Sequence, residues 1–132
     1  LRVMEHPGTL DLLGQVSYVK AYNRDTSQPL PRIPPVKALL GLEYRLDKLA
    51  ARFDVIHATS QDRVSANELP TDAYTLVNAS LTYRLSAAST VWDAFVKVNN
   101  LFDKDAREHT SPLKDIAPLP GRGVMVGLRG GF

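Results

Sequence analysis

The chain of 132 residues has no cysteine. Disulfides and cysteine-based zinc sites are therefore excluded, and the redox compartment stays open. Long apolar runs are also missing. Nothing approaches the roughly 18 consecutive apolar residues of a membrane-spanning helix. That leaves a membrane possible, because barrel strands are short and only half apolar. An excess of one charge is lacking too. Lys and Arg number 16 and Asp and Glu 14, a net +2, and the basic residues lie scattered among acids. A nucleic-acid footprint is not supported. No nucleophile motif surrounds any serine or histidine. No glycine-rich phosphate loop occurs, since Gly130 and Gly131 fall in the terminal stretch. The reading is of a protein that is not an enzyme and carries no cofactor. The opening residues, L-R-V-M-E-H-P-G, form neither a signal peptide nor a start, so an internal cut of a longer chain is expected.

What is present is alternation. In the last stretch, residues 122–132, Val124, Val126, Leu128, Gly130 and Phe132 share one face. Met125, Gly127, Arg129 and Gly131 share the other. A period of two is that of a strand. Upstream, residues 10–22 alternate and predict a strand, and Pro29, Pro31, Pro34 and Pro35 make residues 23–35 a loop. Residues 36–46 give the cleanest pattern, Val36, Ala38, Leu40, Leu42, Tyr44 and Leu46 against Lys37, Leu39, Gly41, Glu43 and Arg45. Asp47 and Lys48 make a short turn into a strand at 49–58. A polar loop follows at 59–73, a strand at 74–85, a short turn at 86–89, a strand at 90–98 and a long loop at 99–122. The expected fold is all-β, an antiparallel up-and-down meander of about six strands.

A soluble β-sandwich or lipocalin-like binding module and a membrane barrel both fit that alternation. The charged face (Glu43, Arg45, Arg52, Asp54, Arg84, Asp93 and Arg129 among others) is a solvated face in the first and a wet lumen in the second. Two regularities favour the barrel. Connections alternate long and short, as in outer-membrane barrels. The outward aromatics Tyr44, Phe53, Tyr83, Trp92 and Phe132 all lie toward the short-turn side, where a membrane-interface girdle would put them.

Four runs then resemble a known family: L-P-R-I-P-P at 30–35, E-L-P-T-D-A-Y-T-L-V-N-A-S-L-T-Y-R-L at 68–85, N-N-L-F-D-K onward through P-G-R at 99–122, and the terminal G-V-M-V-G-L-R-G-G-F. They resemble the C-terminal barrel segment of TonB-dependent outer-membrane receptors. The resemblance covers nearly the whole chain, and N-N-L-F-D-K followed by P-G-R is its most specific part. It implies a segment of a 22-stranded transmembrane barrel in the Gram-negative outer membrane, with the plug and TonB motif outside these residues. It implies uptake of a scarce nutrient such as a ferric siderophore, haem, cobalamin, zinc or a sugar, driven through TonB. Outer-membrane lipid, lipopolysaccharide and the barrel-assembly machinery are implied partners. Gly127, Leu128 and Phe132 match the assembly signal, while Gly130 departs from the larger residue often found there.

Sites are few. His109 stands in R-E-H-T-S with Glu108 beside it and Asp103 and Asp105 upstream, a candidate metal ligand. Similar loops occur in a zinc-receptor branch of the family. His6 and His57 are too distant in sequence to add to it. Arg107, Glu108, His109 and Lys114 are candidate ligand contacts in an outer loop. Their other reading is loop solubility and contact with lipopolysaccharide phosphates.

Overall fold

The computed structural model describes residues 1–4, 7–87 and 90–131, the side chain of Ala87 excepted. Among them the chain forms one seven-stranded antiparallel sheet in strict sequence order. The strands are β1 (Arg2–Met4), β2 (Thr9–Ser17), β3 (Lys37–Leu46), β4 (Leu49–Ala58), β5 (Tyr74–Ala87), β6 (Thr90–Asn99) and β7 (Gly123–Gly131). The meander is as expected, with one strand more. β1 spans only three residues, too few for alternation to be read. β2 stops at Ser17 rather than running to Tyr22. Its partner β3 begins opposite, at Lys37, and the preceding Pro34 and Pro35 have no N–H to extend the ladder. Beyond Ser17 the chain returns to itself through a single bridge from Tyr22 to Pro29. β5 runs two residues further than expected, to Ala87. Ala88, Ser89, His6 and Phe132 lie outside the described residues.

Register separates the side chains cleanly. Leu10, Tyr44, Ala51, Leu81, Val96 and Val126 stand on one rung, and Leu12, Leu42, Phe53, Ala79, Val98 and Val124 on the next. This face is apolar and open: Val126 is 77% exposed and Leu128 67%. The opposite face carries the charges. Arg45 meets Asp11 at 3.0 Å and Glu43 at 2.6 Å, and Arg52 grips Asp54 through two bonds of 2.8 Å. Asp93 is held at 3.1 Å by both Arg84 and Arg129. Pairs this exposed contribute about 0–1 kcal/mol each. Their consequence is register, since a slip of one residue would turn every charge onto the apolar face.

No second sheet packs on this one among the described residues, so the β-sandwich is set aside. The buried apolar cluster is small, Ala58, Tyr74 and Ala106 with Leu76 and Leu119 against it, and sits at the long-loop end. At the other end the Leu46–Leu49 hairpin turns through Asp47 at φ 49°, a left-handed value that Asp tolerates.

Two glycines of β7 sit under rings of β6. A Cβ on Gly127 would come within 2.5 Å of the Phe95 ring, and one on Gly130 within 2.7 Å of the Trp92 ring. The two rings lie on opposite faces of the sheet and clasp β7 between them. Gly127→Ala should destabilise the assembled barrel by about 1–3 kcal/mol, the usual cost of overpacking. Chemical unfolding of the barrel in lipid measures it. Adding Phe95→Ala should recover part of the loss, and no recovery would mean that the glycine serves another purpose.

Candidate functional site: the long-loop cap

The three long connections, 18–36, 59–73 and 100–122, emerge at the same end of the sheet. They fold onto one another, and the third turns back over the charged face. Its base is a clasp. Asn100 is buried with φ 49°, and its amide donates to the carbonyls of Lys104 at 2.9 Å and Pro120 at 3.2 Å. Its side-chain oxygen accepts the Lys104 N–H at 2.8 Å, and its own N–H donates to Asn78 Oδ1 at 2.9 Å. Asp103 accepts the Arg122 N–H at 2.7 Å, and a Cβ on Gly121 would crowd the same carboxylate at 2.8 Å. N-N-L-F-D-K and P-G-R are therefore two halves of one closure. Between them Ala106 packs on Ala58 and Tyr74, and Leu119 N–H returns to Ala106 O at 2.7 Å.

Above the clasp lies a buried polar knot. His109 is fully enclosed. Thr71 Oγ1 lies 2.9 Å and Lys114 Nζ 3.5 Å from its Nδ1. An ammonium can only donate, so Nδ1 is the acceptor and the ring proton sits on Nε2. Nε2 faces Glu68 Oε1 at 3.3 Å, near enough for attraction but out of line for a hydrogen bond. Lys114 lies 3.7 Å from the same oxygen and donates to the Leu69 carbonyl. Glu68 also accepts the Arg32 N–H at 2.9 Å, which brings in the first loop. Gln61 adds a second tie there, donating to Ile33 O at 2.8 Å.

Burial above all, then the Lys114 charge, pushes the His109 pKa below its ordinary 6.5. Burial pushes the Glu68 carboxyl up, but the N–H groups of Arg32 and Ser65 and the charges of His109 and Lys114 outweigh it and hold it below its usual range. Glu108 behaves alike: burial raises it, and Lys37 with Thr110 and Tyr74 brings it net lower.

The four loop residues expected to meet ligand are thus engaged inside the protein. His109 and Lys114 meet in the knot. Arg107 braces it by donating to Lys114 O at 2.6 Å. Glu108 turns the other way, to Lys37 and to the Tyr74 hydroxyl at 3.3 Å. Asp103 belongs to the clasp. Among the described residues no three His, Asp or Glu side chains gather as a metal site. Glu68, Thr71 and Asn100 were not singled out from sequence, although the runs that contain them were. A polar cleft of about 280 Å³ opens where the three loops meet, with Arg32, Asn67, Glu68, Lys114 and Asp115 on its walls.

Of the expected girdle, Tyr44, Tyr83 and Trp92 stand on successively lower rungs from β3 to β6. Phe53 lies further toward the long loops. Along β5, Thr75, Val77, Ala79, Leu81, Tyr83 and Leu85 face outward. From Val77 to Leu85 that row is apolar over about 27 Å, and beyond it Thr75 pairs with the outward His57 at 2.9 Å.

A sheet apolar outside, charged inside and looped at one end is a piece of transmembrane β-barrel wall. The comparisons agree. A sequence model described as "TonB dependent receptor-like, beta-barrel" matches residues 6–101. The chain belongs to this family of TonB-dependent receptor β-barrels. Among solved structures it is similar to one described as "Copper transporter OprC", with a TM-score of 0.78 and 21% identity over 97% of this chain. The chain spans 21% of that protein's length.

Asn100→Ala should loosen the cap, leaving the Lys104 and Pro120 carbonyls without their donor at a cost of about 2–4 kcal/mol. Faster amide exchange across residues 100–122, with the strands unchanged, is the expected readout. The knot should also respond to pH. Below 6.5 an opened loop takes up a proton on His109 that the closed cap refuses, so closure weakens as pH falls through that value toward the lower folded one. Glu68 and Glu108, held low when folded, add a second loss below 4.5. Exchange protection of the loops against pH measures both steps, and His109→Gln should abolish only the first.

Proposed function

We propose that this chain is the C-terminal part of the barrel of an outer-membrane receptor that imports a scarce nutrient with energy delivered through TonB. The family match carries the reading, and the one-sided sheet supports it. A closed barrel needs at least about eight strands, so these seven are joined by others to complete the wall. In that reading the charged face lines the lumen, the cap stands at the outer mouth, and a plug and TonB motif precede this segment. Gly127, Leu128 and Phe132 then serve the barrel-assembly machinery as its recognition strand. The cargo is a metal chelate such as a siderophore, haem or cobalamin complex, or zinc. The polar cleft between the loops suits a hydrophilic cargo, and the similar solved structure is described as a copper transporter.

The test is uptake. A strain lacking the encoding gene, grown with the nutrient scarce, should lose import of one labelled chelate and regain it with the intact gene. Recovery should vanish without TonB. Import that persists without TonB would mean a passive pore. Recovery of the product from the soluble fraction would overturn the membrane reading altogether.

A further inference from the structure

The polar cleft among the three loops has a buried floor and an exposed rim. Glu68 and Lys114 form the floor, with only 8% and 6% of their side chains exposed, and they lie 3.7 Å apart. Their needs are met inside the protein. Glu68 accepts the Arg32 and Ser65 N–H groups, and Lys114 donates to the Leu69 carbonyl. At the rim stand the Arg32 guanidinium, the Asp115 carboxylate and the Asn67 amide. Among the described residues none of these three side chains has a hydrogen bond or an ion pair, and neither has the Ser65 hydroxyl. Asp115 acts on the His109 ring only through its charge. Arg32 departs from a left-handed backbone, φ 59°, held by its own N–H on Glu68. Pro31 and Pro112 stiffen the walls.

These features define a ligand by exclusion. A cleft of about 280 Å³ has room for about nine waters, the bulk of a small dipeptide. Sites that enclose a drug-sized ligand run to roughly 300–1,000 Å³, so a macrocyclic chelate is not enclosed whole. No aromatic side chain is among the described residues that line the cleft, and a planar aromatic ligand finds no face to stack on. The free charges are one cation and one anion. A simple anion satisfies Arg32 but faces Asp115, and a simple cation does the reverse. Either leaves a charge that has lost water without a partner. A neutral sugar leaves both. A zwitterion satisfies both at once, its carboxylate on the guanidinium fork and its ammonium on the Asp115 carboxylate.

We propose that the cleft binds a small zwitterion of dipeptide size, its carboxylate held by Arg32, its ammonium by Asp115 and the amide between them by Asn67 and Ser65. The proposal rests on the import reading above and gives the cargo its recognised group. Its test uses the intact receptor, purified from outer membranes in mild detergent, with diglycine as the probe in equilibrium dialysis. Diglycine should bind at least fivefold more tightly than N-acetyl-diglycine, which lacks the ammonium, and than diglycine amide, which lacks the carboxylate. Arg32→Gln should remove only the advantage over the amide, and Asp115→Asn only the advantage over the N-acetyl form. Asp25→Asn, at the tip of the first loop, should change nothing. Bound diglycine should slow amide exchange at residues 111–115. Equal binding of the three probes, or of glucose with them, would overturn the zwitterion, and slowing confined to other segments would overturn the site. Labelled diglycine that enters cells through TonB is itself a cargo, whereas diglycine that only competes with a labelled chelate stands for an end group of that chelate. Diglycine bound with the expected preferences by a protein that imports nothing through TonB would refute the import reading and leave the zwitterion site standing.

Discussion

Everything in this chain depends on the backbone ladder. In hydrocarbon an unpaired N–H or C=O has no water to turn to, so each strand must be satisfied by its neighbours. The meander does this in the simplest way, with each of β2 to β6 paired to the strand before and after it, although β1 meets only the start of β2. A ladder of this kind has no thick core. The buried apolar cluster is a few side chains at the loop end, and most large apolar residues face outward. Register therefore carries the weight that packing carries in a soluble domain. The carboxylate and guanidinium pairs across β2 to β4 and across β5 to β7 hold it from one face. The rings over Gly127 and Gly130 hold the last strand from both.

The loops obey the opposite rule. They lie at one end of the sheet and are built from polar contacts, many of them buried. Asn100 and Asp103 close the third loop at its base with backbone acceptors and donors that no strand could serve. His109 joins that loop to the second, and Glu68 joins the second to the first. The cap is thus one unit rather than three free excursions. A ligand or a change of pH that acts on one loop is felt by the others.

The strands were legible because their cause is local. Period-two alternation survives in the sequence whatever the neighbours are, and Lys37–Leu46 and Leu49–Ala58 fell within a residue of where it put them. The end of β2 was not legible, because it depends on where a partner strand begins twenty residues later. Nor was β1, which is too short to show a pattern and is a strand only because β2 lies beside it. In the sequence the outward aromatics all read as lying toward the short-turn side. The ladder shows their row slanted, with Phe53 off the line, since tilt and register are properties of the sheet and not of the chain.

The sequence by itself determined the class: alternating strands, long and short connections, an apolar and a charged face, and motifs of the TonB-dependent receptor barrels. These follow from residue chemistry repeated at a fixed spacing. Only the tertiary structure decided what the loop residues do. His109 stood near Glu108 and Asp103 in sequence and looked like a ligand with acids beside it. Folding carried Glu108 to Lys37 and Asp103 to Arg122, and brought Thr71, Lys114 and Glu68 to the ring instead. Contacts among loops span dozens of residues and are set by backbone turns such as those at Asn100 and Arg32, so no local pattern announces them.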